Sequence, residues 1–246
     1  MPDSSGARGG SRGPLAGFVL AAAVVAMLPL VLLAPALLPG HVLSSADVLM
    51  GSYLFASDRP PGFEPANALL TDPVQQMIPW RTLETSELRA GRMPFWNPYA
   101  YAGSPLLGNS QSAAFDPLSL PYLLTARTSG ATVWVALLRA FLAGFGTLLL
   151  ARRLGRSPAA AALAGLAYGC GGFMTVWLLY PHASSAAWFP WALLAAEHLA
   201  RSARVVSVKL VSERRPGMRI EVSMVGSPTK PQEAPRDPRG PGCAAA

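Results

Sequence analysis

The chain has 246 residues, of which 51% are hydrophobic and only 13% are charged. A soluble domain usually carries about a quarter charged residues, so this composition indicates contact with lipid. The formal net charge is +7, but the basic residues lie in short groups beside apolar runs and form no basic face with interleaved aromatic residues. This pattern argues against nucleic-acid binding and favours a membrane protein.

The first element is an uncharged run over residues 15–38, which predicts a transmembrane helix because about 20 apolar residues cross a bilayer. A signal peptide is the competing interpretation, since two arginines precede the run. The run is longer than the roughly 7 to 15 apolar residues typical of a signal peptide. We therefore expect a transmembrane helix here. The two arginines before it indicate that residues 1–14 are a cytoplasmic N-terminus.

Three further apolar runs predict the second, third and fourth spans at residues 131–151, 158–180 and 183–199. The third run carries Gly165 and Gly169 four positions apart, a spacing that allows another helix to approach closely. The fourth run is shorter and ends in charged residues. The predicted fold is an α-helical polytopic membrane protein with about four transmembrane helices.

Arg139 interrupts the second span. An arginine inside a span is costly, so by default it faces a protein interior or an aqueous cavity, where it could hold a phosphate. The alternative is that Arg139 snorkels to the surface or pairs with a helix that this chain does not contain.

The arginines outside the spans define the orientation. Cytoplasmic loops are enriched in basic residues, so a place with several arginines is expected inside the cell. With an inner N-terminus, residues 39–130 form a large outer loop, while residues 205–246 form a cytoplasmic tail. The arginines that indicate this are Arg8, Arg12, Arg152, Arg153, Arg156, Arg201 and Arg204.

The outer loop is rich in aromatic residues and is expected to fold on the membrane surface with helices of its own. Asp72 before Pro73, with Gln75 three positions later, predicts an N-cap, a proline in the first turn and a capping-box partner. Pro79 is expected to kink this helix, and Gly91 is expected to cap its C-terminus.

Other residues of the loop are predicted to hold local structure or to meet the membrane. Trp80 and Trp96 lie beside arginines and are typical of residues at the headgroup level. Asp116 precedes a proline and is expected to be another cap or turn residue.

Two long stretches of the sequence resemble a known family. "DPVQQMIPWR" and "LRAGRMPFWNPYAYAGSPLLGNSQSAAFDPLSLPYLL" resemble the first outer loop of the bacterial YfhO family, and "HASSAAWFPWALLAAEHL" resembles the helix after its third span. The resemblance covers about residues 15–200. It implies a relative of the GT-C glycosyltransferases, which move a sugar from a polyprenyl-phosphate donor to an acceptor outside the membrane.

In GT-C enzymes an acidic residue of the first outer loop acts on the acceptor. The resemblance places this role first on Asp72 and second on Asp47. A carboxylate within hydrogen-bond reach can remove the proton of the attacking hydroxyl. The alternative for Asp72 is a purely structural role as the N-cap.

The leaving polyprenyl phosphate needs cationic stabilisation, for which Arg81, Arg89 and Arg139 are the candidates because a guanidinium matches a phosphate with paired donors. The aromatic residues Trp80 and Trp96 are expected beside the lipid-linked substrate. His182, at the predicted outer turn, could contact substrate, and its alternative role is structural.

The implied partners are membrane lipid, a polyprenyl-phosphate-linked sugar and a cell-envelope acceptor, and the implied location is the bacterial plasma membrane. No cofactor is expected, since the sequence has no phosphate loop and no cluster with metal-ligand spacing. The sequence leaves open whether a divalent metal is required. The alternative function is a non-enzymatic membrane protein, such as a transporter part or an assembly factor.

The family pattern stops after Arg204. Two alternating stretches around "ERRPG" predict a short hairpin, and the Pro-rich residues beyond it are expected to be disordered. One expectation is a truncated or frameshifted gene product, inactive alone because too few spans remain to enclose a polyprenyl donor. The alternative is a short accessory domain at residues 205–246.

Overall fold

The computed structural model describes residues 14–202, 205–211 and 219–225. These residues are mostly helical, and the few strands are short. In chain order the helices are α1 (Pro14–Leu37), α2 (Ile78–Arg89), α3 (Leu120–Leu124), α4 (Thr128–Arg153), α5 (Pro158–Gly169), α6 (Gly172–Trp177) and α7 (His182–Ser202). The strands are β1 (Trp96–Asn97), β2 (Ser104–Pro105), β3 (Val205–Val211) and β4 (Arg219–Val225).

Three helical stretches of the described residues are long and apolar enough to cross a membrane. They are Leu15–Leu37, Thr128–Arg153 and Pro158–Trp177. They form where the first three spans are predicted, although α4 begins three residues before the predicted start of the second span. The structure therefore supports a helical membrane protein.

The third stretch is divided by a break between α5 and α6. A side chain at Gly171 would place its Cβ 2.2 Å from the Ala167 carbonyl oxygen, so only glycine fits this close approach. Residues 158–180, predicted as one helix, therefore form two helices separated by Gly171, whose backbone is extended with φ −69° and ψ 170°.

The predicted fourth span, residues 183–199, lies within α7. This helix is not among the three that are apolar enough to cross, because it carries several polar and charged residues. Its first half packs along α4, where Trp191 Nε1 donates to the Leu142 carbonyl oxygen at 2.9 Å. The fourth crossing stays a prediction.

Glycines bring α4 and α5 into backbone contact. A Cβ at Gly165 would lie 2.6 Å from the Gly144 carbonyl oxygen, and one at Gly169 would lie 2.7 Å from the Ala140 carbonyl oxygen. Val25 of α1 packs over the same glycine pair. The prediction that the two glycines of the third run admit a close helix is confirmed.

Residues 38–127, which we call the connecting segment, join α1 to α4. Leu118 of this segment belongs to a buried apolar cluster with Met174 of α6. The cluster also contains small residues of α4 and α7, at Ala143, Ala183 and Ala187. The connecting segment is therefore packed against the helices and is not a free loop.

The start of the predicted surface helix differs from the expectation. Asp72 already has helical dihedral angles, φ −57° and ψ −40°, and its side chain makes no capping bond. An N-cap needs an extended conformation, so the predicted cap and its capping box with Gln75 are wrong. A π-helical turn, Pro73–Met77, precedes α2 and places Pro79 in the first turn of α2.

The end of α2 agrees with the prediction. Gly91 has a positive φ of 70°, and its N–H donates to the Leu88 carbonyl oxygen at 3.0 Å, while the Arg92 N–H donates to the Glu87 carbonyl oxygen at 2.9 Å. This is a Schellman motif with glycine at the left-handed position. The predicted C-cap is confirmed.

The chain divides into two compact units, and the second begins at Ala195. Its strands β3 and β4 are antiparallel, with Val205 opposite Val225 and Lys209 opposite Glu221. The predicted hairpin is confirmed. The "ERRPG" turn and the Pro-rich tail, for which disorder is predicted, lie outside the described residues.

Candidate functional site

Arg139 of α4 lies at the centre of a buried polar network. It is 3% exposed, its Nε donates to Ser184 Oγ at 2.8 Å, and its Nη1 donates to the Leu178 carbonyl oxygen at 2.8 Å. Its Nη2 lies 3.6 Å from Asp116 Oδ2. We call Arg139, Asp116, Ser184 and the Leu178 carbonyl the Arg139 network.

The network corrects one alternative for Arg139, in which its partner belongs to a helix absent from the chain. The counter-charge is Asp116 of the connecting segment. A helical side chain extends towards the helix N-terminus, so the guanidinium reaches towards the end of α4 that follows this segment. The predicted interior position of Arg139 is confirmed, and phosphate binding stays a prediction.

Asp116 has more partners than its predicted capping role requires. Its Oδ1 accepts from the Leu118 N–H at 3.0 Å, which caps the short 3-10 helix Pro117–Ser119 and confirms the predicted cap. Its Oδ2 also accepts from the Ser184 hydroxyl at 2.5 Å. Asp116 thereby links the connecting segment to both α4 and α7.

A second buried pair lies on α2. Arg81 is 7% exposed and Glu84 is 2% exposed, and Arg81 Nη1 lies 3.2 Å from Glu84 Oε2. The same nitrogen donates to the Ala113 carbonyl oxygen at 2.8 Å. The guanidinium also lies over the Tyr122 ring, 5.6 Å from its centre, in a cation–π arrangement.

Glu84 has an unusual protonation equilibrium. Burial raises the pKa of Glu84 to about 7, and the charge of Arg81 and the neighbouring Ser112 hydroxyl oppose this rise only in part. Removing a carboxylate from water disfavours its charged form. Glu84 is therefore partly protonated at neutral pH.

Two cavities share the Arg81 and Tyr122 side chains. The smaller cavity, about 20 Å³, is also lined by Arg139, Pro73 and Thr132, and it has room for about one water molecule. The larger cavity, about 370 Å³, lies on the side of Glu84 and Asp116 and has mostly apolar walls. The two buried arginines thus both line one small cavity, and each lies within 3.6 Å of a carboxyl oxygen, of Glu84 for Arg81 and of Asp116 for Arg139.

Asp72 lies next to this small cavity. It precedes Pro73, which lines the cavity, and its Oδ1 accepts from Gln76 Nε2 at 3.1 Å. The carboxylate is half-buried and lies close enough to Tyr180 to interact with it electrostatically. Asp72 is thus the chain neighbour of a residue that lines the same cavity as Arg81 and Arg139.

Asp47 lies at a neighbouring cavity of about 390 Å³. Its Oδ2 accepts from the Ala66 N–H at 2.8 Å and ties together two parts of the connecting segment. Ser44 lines both this cavity and the smaller one. Asp47 thus lines a cavity that shares Ser44 with the smaller one, and it has a clear structural role.

Arg89 lies apart from the two buried arginines. Its Nη2 donates to the Tyr122 and Leu123 carbonyl oxygens at 3.0 and 3.1 Å and also to the Thr125 carbonyl oxygen. These are carbonyls at the C-terminus of α3, where a cation caps a helix favourably. The structure gives Arg89 a capping role, and it lines neither cavity that contains Arg81.

The aromatic and histidine candidates are dispersed. Trp80 is half-buried in α2, whereas Trp96 is exposed and its ring lies against Gly103, where a Cβ would be 2.6 Å away. The exposed His182 ring is 5.0 Å from the Trp177 ring. None of the three candidates lines the cavity between Arg81 and Arg139.

Sequence reasoning missed Glu84, Tyr122 and Ser184, which complete the two polar clusters. The spacing of Arg81 and Glu84 on one helix face was a detectable signal, because residues three apart are neighbours. Nothing local indicated Ser184, since it lies 45 positions from Arg139.

Metal ligands are a separate question. Within residues 14–202 and the two strands beyond them, no group of three or more His, Cys, Asp or Glu side chains is placed to hold a metal ion. The candidate site described here consists of carboxylates, guanidinium groups and hydroxyls.

The fold and the buried polar clusters define the chain as a mostly helical protein with three helices that can cross a membrane. Comparisons with protein-family models, with curated proteins and with solved structures gave no match. The functional assignment therefore depends on the resemblance of the motifs and on the geometry of the site.

Proposed function

We propose that the chain is the N-terminal part of a YfhO-like membrane glycosyltransferase of the GT-C type. It transfers a sugar from a polyprenyl-phosphate donor to a cell-envelope acceptor in the bacterial plasma membrane, with its N-terminus in the cytoplasm. The observation that carries this proposal is that the half-buried Asp72 immediately precedes Pro73, which lines a cavity together with Arg81 and Arg139.

The chemistry needs one base and one cationic group. The acceptor hydroxyl oxygen attacks the anomeric carbon, the bond from that carbon to the phosphate oxygen breaks, and the phosphate leaves with the electron pair. Asp72 takes the hydroxyl proton, for which a positioned carboxylate contributes about a hundredfold or more. Arg81 and Arg139 stabilise the negative charge on the phosphate.

Asp72 suits this role better than Asp47 does. One carboxylate oxygen of Asp72 accepts a side-chain amide, and the residue does not cap the helix. Asp47, by contrast, holds the backbone N–H of Ala66. A base must be free to exchange its partner for substrate, and a flexible glutamine amide is more easily displaced than a folded backbone.

The test is a sugar-transfer assay with a labelled polyprenyl-phosphate sugar, in a version of the protein that carries further spans. Asp72→Asn should lower transfer by about a hundredfold or more, because the base is lost. Asp72→Ala should do the same without an added folding defect, since no cap is removed. Asp58→Asn, at an exposed acid of the same segment, is the matched control and should leave transfer unchanged.

Full transfer by a correctly inserted Asp72→Asn protein would contradict the proposed base. The role would then pass to Asp47, and Asp47→Asn would be compared with the same Asp58→Asn control.

A second candidate function is non-enzymatic, as a transporter part or an assembly factor. The observation that favours it is that Arg81, Arg89 and Arg139 all donate to groups of the protein itself. The small cavity also has room for only about one water molecule. If this function is correct, the unsubstituted protein transfers no sugar. Substitutions at these arginines then change only the yield of the protein and its resistance to proteolysis.

A further inference from the structure

An apolar groove runs along the outside of α1, α3 and α4. It has a volume of about 470 Å³. We call it the α1–α4 groove, and its lining residues include Ala26, Leu30, Leu124, Trp134, Leu138 and Phe141. Trp134 and Leu138 are each more than one-third exposed, so the groove is open on the side away from the helices.

The length of the groove matches a lipid chain. Trp134 is six positions after the start of α4 at Thr128, and Phe141 is thirteen positions after it. At 1.5 Å per residue these side chains are attached about 9 and 20 Å below the start of α4. One leaflet of the hydrocarbon core is about 15 Å thick, so with the start of α4 at the membrane surface the groove would span about one leaflet.

Positive charge lies at the surface end of the groove. Arg127 immediately precedes α4, is exposed, and has no side-chain partner among the residues that the structure describes. Arg89 lies beside the same end, but its guanidinium is held by the Leu123 and Thr125 carbonyl oxygens, so Arg127 is the better placed of the two for a headgroup. No acidic residue occurs between Asp116 and Glu197, so nothing along α4 offsets this charge.

We propose that the α1–α4 groove is a binding site for an anionic glycerophospholipid, whose acyl chain lies in the groove and whose phosphate headgroup contacts Arg127. Charge complementarity at one end and apolar walls along the rest are what such a lipid requires. A zwitterionic lipid presents no net charge to the arginine. The inference is independent of the proposed glycosyl transfer.

Another transmembrane helix fits the groove less well than a lipid chain. Helices in membranes pack through small residues that allow close backbone approach. The faces of α4 and α5 with that character already meet each other at Gly144 and Gly165. The α1–α4 groove is instead bordered by large side chains such as Trp134 and Phe141.

The test uses the full chain in phosphatidylcholine vesicles with a small fraction of lipid brominated on its acyl chains. Brominated chains quench a tryptophan that they contact, and the Trp134 signal is the difference between the protein and its Trp134→Phe variant. Brominated phosphatidylglycerol should occupy the groove about fivefold more strongly than brominated phosphatidylcholine, the factor expected for one basic residue at a membrane surface.

Two variants separate the headgroup from the chain. Arg127→Gln should reduce quenching by phosphatidylglycerol to that by phosphatidylcholine, whereas Arg59→Gln, at an exposed arginine 68 positions before Arg127 in the chain, should keep the preference. Ala26→Phe should fill the groove and lower quenching by both lipids. Equal quenching by the two lipids in the unsubstituted protein, or a preference that survives Arg127→Gln, would overturn the proposal.

Discussion

The α4–α5 interface and the attachment of the connecting segment to α4 stabilise the protein by opposite means. At the first, glycines remove side chains so that two backbones touch. At the second, charged side chains are buried in pairs, with Asp116 against Arg139 and Glu84 against Arg81, and the second oxygen of Glu84 has no hydrogen-bond partner among the described residues. The first depends on shape and is insensitive to pH, whereas the second depends on charge and has one group that titrates near neutrality.

The consequence is that the two regions fail differently. A methyl group added between two backbones has nowhere to go, and the cost is steric. Removing the charge of Asp116 leaves Arg139 unsatisfied in a medium of low polarity, and the cost is electrostatic. Substitutions at the glycine interface should therefore act through packing, and substitutions of the buried charged residues should act through electrostatics.

The largest effect is expected from the Arg139 network. Asp116→Ala removes the counter-charge of a buried arginine, so it should lower the free energy of unfolding by about 3–5 kcal/mol. Asp116→Asn keeps an oxygen for the Leu118 N–H and should cost less. The measurement is thermal unfolding in detergent, followed by circular dichroism.

A second substitution tests whether the cost is electrostatic. Adding Arg139→Met to Asp116→Ala leaves no unpaired charge and should recover part of the lost stability. If the double variant is less stable than Asp116→Ala alone, the packing of Arg139 and not its charge holds the connecting segment.

The next effect is the pH dependence of the contact around Glu84. The pKa of Glu84 is raised in the folded protein to about 7 from a value of 4.5. A raised pKa gives stability that is complete below about pH 4.5 and is lost as pH rises through about 7. The groups that face this carboxylate or its partner are Arg81, Ser112, Asp116, Tyr122 and Arg139.

Hydrogen exchange measures this contact directly. The free energy of opening α2 from residues 112–113 should fall by about 2–3 kcal/mol between pH 5 and pH 8, after correction for the intrinsic exchange rate. Glu84→Gln cannot titrate and should remove this slope. An unchanged slope in the Glu84→Gln protein would show that another group causes it.

The same comparison explains what the sequence could predict. Long uncharged runs, the glycine spacing in α5 and Gly91 at the end of α2 are local signals, and the helices, their close contact and the cap followed from them. The Arg139 network joins residues that are 23 to 68 positions apart, at Asp116, Arg139 and Ser184. Long-range pairs of this kind have no local pattern, so Asp116 was assigned only its cap.

Two local predictions failed because a neighbouring feature changed the backbone. The motif at Asp72 matched an N-cap, but Asp72 already has helical dihedral angles. The helix therefore begins one residue earlier than predicted. The apolar run at residues 158–180 matched one helix, but the extended backbone at Gly171 divides it. In both places composition indicated a helix correctly and did not fix where it begins or breaks.

The smallest effect is expected at the glycine interface. Gly165→Ala places a methyl carbon 2.6 Å from the Gly144 carbonyl oxygen and 3.1 Å from the Val25 side chain. Backbone cannot move aside as a flexible side chain does, so α4 and α5 must separate slightly, at a cost of about 1–3 kcal/mol.

Gly130→Ala is the matched control, because no atom lies within 4 Å of the added carbon and alanine favours helix. The two variants, compared by thermal unfolding at pH 5 and pH 8, should show a loss for Gly165→Ala that is the same at both values, since no charge is involved. A loss that changes with pH would mean that the two regions are coupled. Separating α4 from α5 would then also disturb the buried Asp116–Arg139 and Glu84–Arg81 pairs.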